Sequence, residues 1–160
     1  MRFTLIKDIS KDNSMKPILN GLLFFTLLYI VVDIFVKKSS FGLFVVDIKT
    51  TLYGNMDEFL DPMTESTFLE FIHTEIFFLM MILLTLSAVF TRLSKKNPFS
   101  ITIINILMIS GLATLLFLGL AYFINAEFIA LYVISFFLWH IVALYMTLYS
   151  LWTLNFAKSI

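Results

Sequence analysis

The sequence predicts an all-α polytopic membrane protein: four transmembrane helices in an up-down-up-down antiparallel bundle, with both termini cytoplasmic. The first observation is four long apolar runs within 160 residues, at about 17–36, 68–91, 101–124 and 127–156. A hydrocarbon core ~30 Å thick is crossed by roughly 20 mostly apolar residues in a helix, and each run reaches that length. The second is composition, 60% hydrophobic and 14% charged, with a mean hydropathy of +0.96. Soluble domains sit near 45–50% apolar and about 25% charged. A chain this short cannot bury such an excess in one soluble core, so lipid must cover it. The third is the short links between later runs, which make neighbouring helices antiparallel.

Residues 1–16 alternate charged and apolar side chains (Phe3, Leu5, Ile6, Ile9). This arm predicts a helix on the cytoplasmic leaflet, with Lys7, Lys11 and Lys16 toward anionic headgroups. Pro17 suits the first turn of span one, where a missing N–H is harmless. The run is too long for the apolar core of a signal peptide and is followed by Lys37-Lys38-Ser39-Ser40, so it reads as a retained span. Asp33 lies near its end, one turn before Lys37. That i,i+4 spacing predicts an ion pair at the outer interface.

The outer loop, 39–67, carries Phe44, Val45, Ile48 and Leu52 at helical spacing. It predicts a short amphipathic helix in the outer headgroup layer, stopped by Gly54-Asn55. Asp61-Pro62 marks a turn. Thr67-Phe-Leu-Glu70 matches a capping box opening span two. Residues 92–100 and 125–127 then form tight connections. Span four is ~43 Å long as a helix and must tilt or project. Tyr145, Tyr149 and Trp152 near its end suit the inner aromatic belt. Gly111 and Gly119 are not spaced as Gly-x3-Gly, so they do not form that dimer motif.

Charge sets the expected orientation. Arg2, Lys7, Lys11, Lys16, Arg92, Lys95, Lys96 and Lys158 fall on one side; Lys37, Lys38 and Lys49 fall on the other. The positive-inside rule places the richer side, with both termini, in the cytoplasm. The expected location is a bacterial inner membrane. Most acids (Asp47, Asp57, Glu58, Asp61, Glu65, Glu70, Glu75, Glu127) gather on the outer side. They read as a solvated face, or as one that attracts cations.

The chain has no cysteine, which excludes disulfides, thiolate catalysis and Cys-based metal sites. No glycine-rich phosphate loop occurs. The basic residues are few and close to the membrane, so no nucleic acid is expected. The histidines are His73 and His140. Glu70-x-x-His73 puts two metal-ligating groups on one helical face, the spacing that di-metal carboxylate bundles use twice. With loop acids Asp57, Glu58, Asp61 or Glu65 it would make a mononuclear metal site. The plainer reading is a capped helix start with an interfacial histidine. His140 follows Trp139 near mid-bilayer, where an ionisable group must face the bundle and find a partner. Ala143 and Thr147 share its face, and Asn105 is the expected cross-helix partner. His140 would serve as a hydrogen-bonded strut, a proton relay, a haem ligand or a ligand contact.

The four-span outline is similar to that of cytochrome b-like membrane proteins, which carry several histidines at matched depths. Here His73 and His140 differ by ~12 Å along the helix axes, at 1.5 Å per residue, if span two starts at Phe68. Met80, Met81 or Met108 would be the other axial partner for a haem on His140. No cofactor is expected, with haem b bound through His140 as the alternative. The function expected is a non-enzymatic accessory or interaction subunit of a membrane complex, with a protein partner or homo-oligomer in the bilayer. The alternatives are a haem b or quinone-linked redox protein, and a homo-oligomeric transporter of small solutes or metal ions. That transporter would carry Glu70, His73 and Glu75 at its outer mouth.

Overall fold

The computed structural model describes residues 14–94 and 98–156. Most of the arm expected over 1–16 lies outside the described residues. The chain forms α1 (Met15–Ser40), α2 (Val45–Tyr53), a 3-10 turn (Met56–Glu58), α3 (Glu65–Leu93), α4 (Pro98–Phe123) and α5 (Phe128–Phe156). Among the described residues there is no strand, only an isolated antiparallel bridge between Asn55 and Leu60. The helices α1, α3, α4 and α5 are long and apolar enough to cross a membrane.

Successive long helices run in opposite directions. Helix α5 packs against all three others, and α1 and α4 each also contact α3. The start of α1 meets the end of α5, where Asn20 and Asn155 exchange side-chain amide hydrogen bonds at 2.8 and 3.1 Å. Both ends of the described chain therefore lie at one end of the bundle, and α2 lies at the other.

Each long helix buries one stripe and turns apolar residues outward elsewhere. On α1 the stripe is Leu19, Leu23, Thr26, Ile30, Asp33 and Lys37, at alternating steps of four and three. Phe24, Phe25, Leu28 and Phe35 project outward. In water such a surface would be a liability; in a bilayer it is the solvated face. Helices α4 and α5 have no polar face because their outer surroundings are hydrocarbon. With no water to exclude between them, packing and small residues hold the helices together. On α4 the inward positions include Ser110, Gly111 and Thr114. A Cβ on Gly111 would stand 2.9 Å from Leu83 Cδ1, so α3 and α4 approach closely there. The buried hydroxyls of Ser110, Thr114, Ser135 and Thr147 bond back to carbonyls one turn earlier in their own helices.

The core has two apolar clusters. One fills the terminal half of the bundle, with Leu23, Leu86, Phe90, Leu107, Ala143 and Met146. The other fills the α2 half, with Phe41, Ile48, Phe68, Leu118, Ile129 and Phe136. The helix expected from Phe44, Val45, Ile48 and Leu52 exists, and part of that set faces the bundle. Ile48 and Leu52 are 1% and 2% exposed, docked on the bundle end, while Phe44 and Val46 face out. Gly54 stops α2 with φ +77°, and a Cβ there would meet Leu60 O at 2.6 Å. The helix cap before α3 also differs from the expected box. Thr64 caps α3 by accepting from Thr67 N, so the helix opens at Glu65. Thr64 is extended and offers its hydroxyl three residues before Thr67, which pre-empts a cap at Thr67.

Tyr53 ties α2 to α4 by donating its hydroxyl to Ala121 O. Burial pushes the Tyr53 phenol up from its ordinary value. A raised folded value stabilises below the unfolded value, and that contribution is lost as pH rises through the folded one. The α2 end should therefore loosen only in alkali, above about pH 10. Hydrogen exchange of α2 amides against pH should show this in the native chain and not in Tyr53→Phe.

Candidate functional site

At the seam between the two apolar clusters, α1, α3 and α5 bring four ionisable side chains together. Two come from the inward stripe of α1. Asp33 and Lys37 are one turn apart and are 8% and 2% exposed. Across from Asp33, α5 presents His140, 3% exposed, with Nε2 at 3.1 Å from Asp33 Oδ2. Across from Lys37, α3 presents Glu75, whose carboxylate pairs directly with the ammonium. Lys37 Nζ also sits 4.1 Å from the centre of the Phe71 ring, a cation–π contact.

Asp33 thus does not pair with Lys37 at the interface, as their spacing suggested. The two share a face, and that face points into the bundle. There a carboxylate or ammonium without a close partner costs several kcal/mol. Different helices supply a separate partner for each, which satisfies all four groups. The sequence signal lay in the stripe itself. Asp33 and Lys37 continue the four-and-three spacing of Leu19, Leu23, Thr26 and Ile30, and so must face inward with them.

His140 also differs from the sequence expectation in its partner. Asn105 is exposed on α4. The ring instead reaches Asp33 through Nε2 and Phe136 O through Nδ1, at 2.9 Å. A carbonyl oxygen only accepts, so Nδ1 carries a hydrogen. Phe136 and Trp139 lie against the ring, with centroid separations of 4.1 and 3.9 Å. Nε2, the remaining nitrogen that a haem iron would use, is occupied by the Asp33 carboxyl. Met80 and Met81 are half exposed on α3. Tyr29 of α1 packs on Phe78 of α3, and Tyr132 of α5 on Phe136, with ring centroids 5.7 and 5.9 Å apart.

Glu70 and His73 lie on the exposed surface of α3. Because α3 opens at Glu65, His73 and His140 differ by only about 6 Å along the helix axes, at 1.5 Å per residue. They nevertheless face different surroundings, one exposed and one buried. Among the described residues, no three or more His, Asp or Glu side chains come together as a metal-binding group.

Residues 42–159 match the model of a family described as a transmembrane helical domain. The chain belongs to the Aq_1264_TM family. No curated protein and no solved structure matches it. This family member is an integral, multi-pass membrane protein whose helices contact lipid. The matched stretch holds Glu75 and His140, whereas α1, with Asp33 and Lys37, precedes it.

Proposed function

We propose that the protein is a non-enzymatic accessory or interaction subunit of a bacterial inner-membrane complex, with both termini in the cytoplasm. The observation that supports this reading is a closed knuckle between α2 and α3. Asn55 and Leu60 exchange both backbone hydrogen bonds, at 2.9 and 3.0 Å. Asn55 Oδ1 accepts from Asp57 N at 3.1 Å. Phe59 is held in the left-handed region, φ 55°. A non-glycine residue there is unfavourable and persists when its surroundings fix it. The result is that Met56 and Phe59 stand 95% and 94% exposed.

Two large apolar side chains on a braced turn suit insertion into a recess on another protein. Asp57, Glu58 and Asp61 flank them, so the fitting partner has an apolar recess rimmed by lysine or arginine. The interior ionisable groups, by contrast, are each matched within the chain. The excess of basic residues in the sequence before span one and between spans two and three supports the cytoplasmic placement.

A photo-crosslinking residue at Phe59, used in native membranes, tests the docking role. The expected result is one discrete protein adduct of fixed stoichiometry, weakened by salt through screening of the acidic flank. Phe59→Asn, which tolerates the left-handed backbone, should release that partner while the bundle stays folded. Adducts with lipid alone, or a chain that purifies alone with either residue at position 59, would overturn the reading. Since the chain has no cysteine, Ser14→Cys gives an independent test of sidedness. It should react with impermeant maleimide only from the cytoplasmic side.

A further inference from the structure

The protons at the Asp33–His140 contact can be counted. Nδ1 of His140 holds one, because Phe136 O only accepts. A hydrogen bond between Nε2 and Asp33 Oδ2, 3.1 Å apart, needs one more. Either the ring carries it, as an imidazolium against a carboxylate, or the carboxyl carries it and donates to a neutral ring. In both forms the pair is neutral overall. Without that proton, a ring lone pair faces a carboxylate and the seam holds one uncompensated negative charge.

The surrounding groups do not supply the missing positive charge. Lys37 from α1 is taken by Glu75 from α3. Tyr29 on α1 and Tyr132 on α5 are phenols, neutral at ordinary pH. Helix α4 carries no acidic or basic residue. The contact also has mechanical weight. Among the described residues, side-chain hydrogen bonds join α1 to α5 at two levels, Asn20–Asn155 at the terminal end and Asp33–His140 at the seam.

We propose that Asp33 and His140 form a proton-binding site inside the bundle, and that the bound proton fastens α1 to α5. Protonated, the pair is a neutral hydrogen-bonded clasp between the two helices. Deprotonated, it becomes a repulsive contact; among the described residues α1 then keeps toward α5 its Asn20 tie and apolar packing, while Lys37 stays paired with Glu75 of α3.

The test uses the full chain in lipid bilayers, labelled with nitrogen-15 at histidine. There are two histidines, and His73→Gln identifies the His140 signals. The expected spectrum shows His140 protonated at Nδ1 and hydrogen-bonded at Nε2. In Asp33→Asn the amide brings its own hydrogen to Nε2, which should become a bare acceptor. The coupling to α1 is read separately, with spin labels on Phe35→Cys and Leu138→Cys, both at exposed positions on a cysteine-free chain. The distance distribution should be narrow while the proton is bound and broaden as rising pH removes it. In Asp33→Asn it should stay narrow throughout. A His140 ring protonated at Nε2 and bare at Nδ1 overturns the site. A distance that is unchanged when the nitrogen signals report loss of the proton overturns the coupling.

Discussion

Glu75→Ala should destabilise the bundle by about 3–5 kcal/mol, the usual cost of leaving a buried charge without its partner. The stranded group is the Lys37 ammonium, whose side chain is 3% exposed. Its remaining contact, the face of Phe71, is worth only about 0.5–2 kcal/mol and cannot replace a carboxylate. Glu75→Gln should fall between, because its amide oxygen accepts a hydrogen bond without carrying charge. The informative variant is the double replacement of Lys37 and Glu75 by methionine. Removing both members of a buried pair is often neutral or stabilising, so the double variant should recover most of what Glu75→Ala loses. Reversible unfolding in mixed micelles gives these values. A double variant as unstable as Glu75→Ala would mean that shape, not charge, is what the site supplies.

Phe68→Ala should cost a comparable amount, about 3–5 kcal/mol, as expected for removing a buried aromatic ring. Phe68 is 0% exposed, on the first turn of α3. Its ring stacks on Tyr122 of α4 at 4.0 Å between centroids, and meets Phe123 edge-on at 5.6 Å. Tyr122 in turn donates its hydroxyl to Met63 O at 3.1 Å, so the ring stack also braces the segment leading into α3. The loss should be local first. Hydrogen exchange should rise across α2 and the knuckle while the terminal half of α1 and α5 keeps its protection. Phe77→Ala, at a position 53% exposed to the surroundings of the bundle, is the matched control. It should change stability by no more than about 0.5 kcal/mol.

These two sites divide what the sequence showed from what it did not. The four spans were legible because lipid imposes a length on an apolar run, and few other residue patterns meet it. Helix α2 was legible from the period of Ile48 and Leu52. Its docking on α5 was not, because an amphipathic stripe looks alike whether it meets lipid or protein. The inward aim of His140 followed from its depth. Its partner did not, because choosing between Asp33 and Asn105 requires knowing which helices adjoin α5. Local spacing favoured Asp33 with Lys37, since i,i+4 pairs are the ones a single helix can show. Pairing across helices won because the shared face of α1 is buried, and each of its charges needs a partner of its own. The cap before α3 was misplaced by one step of the same kind. Thr64 and Thr67 both precede a usable turn, and only the backbone distinguishes them.

Asp33 reaches across to His140 rather than along its own helix to Lys37. A pair of double-mutant cycles in bilayers, Asp33 with His140 and Asp33 with Lys37, measures this directly. The structure predicts a coupling of about 1–3 kcal/mol for Asp33 with His140, larger by at least about 1 kcal/mol than for Asp33 with Lys37. A strong coupling of Asp33 to Lys37 with none to His140 would contradict it, and would return Asp33 to an interfacial ion pair on α1.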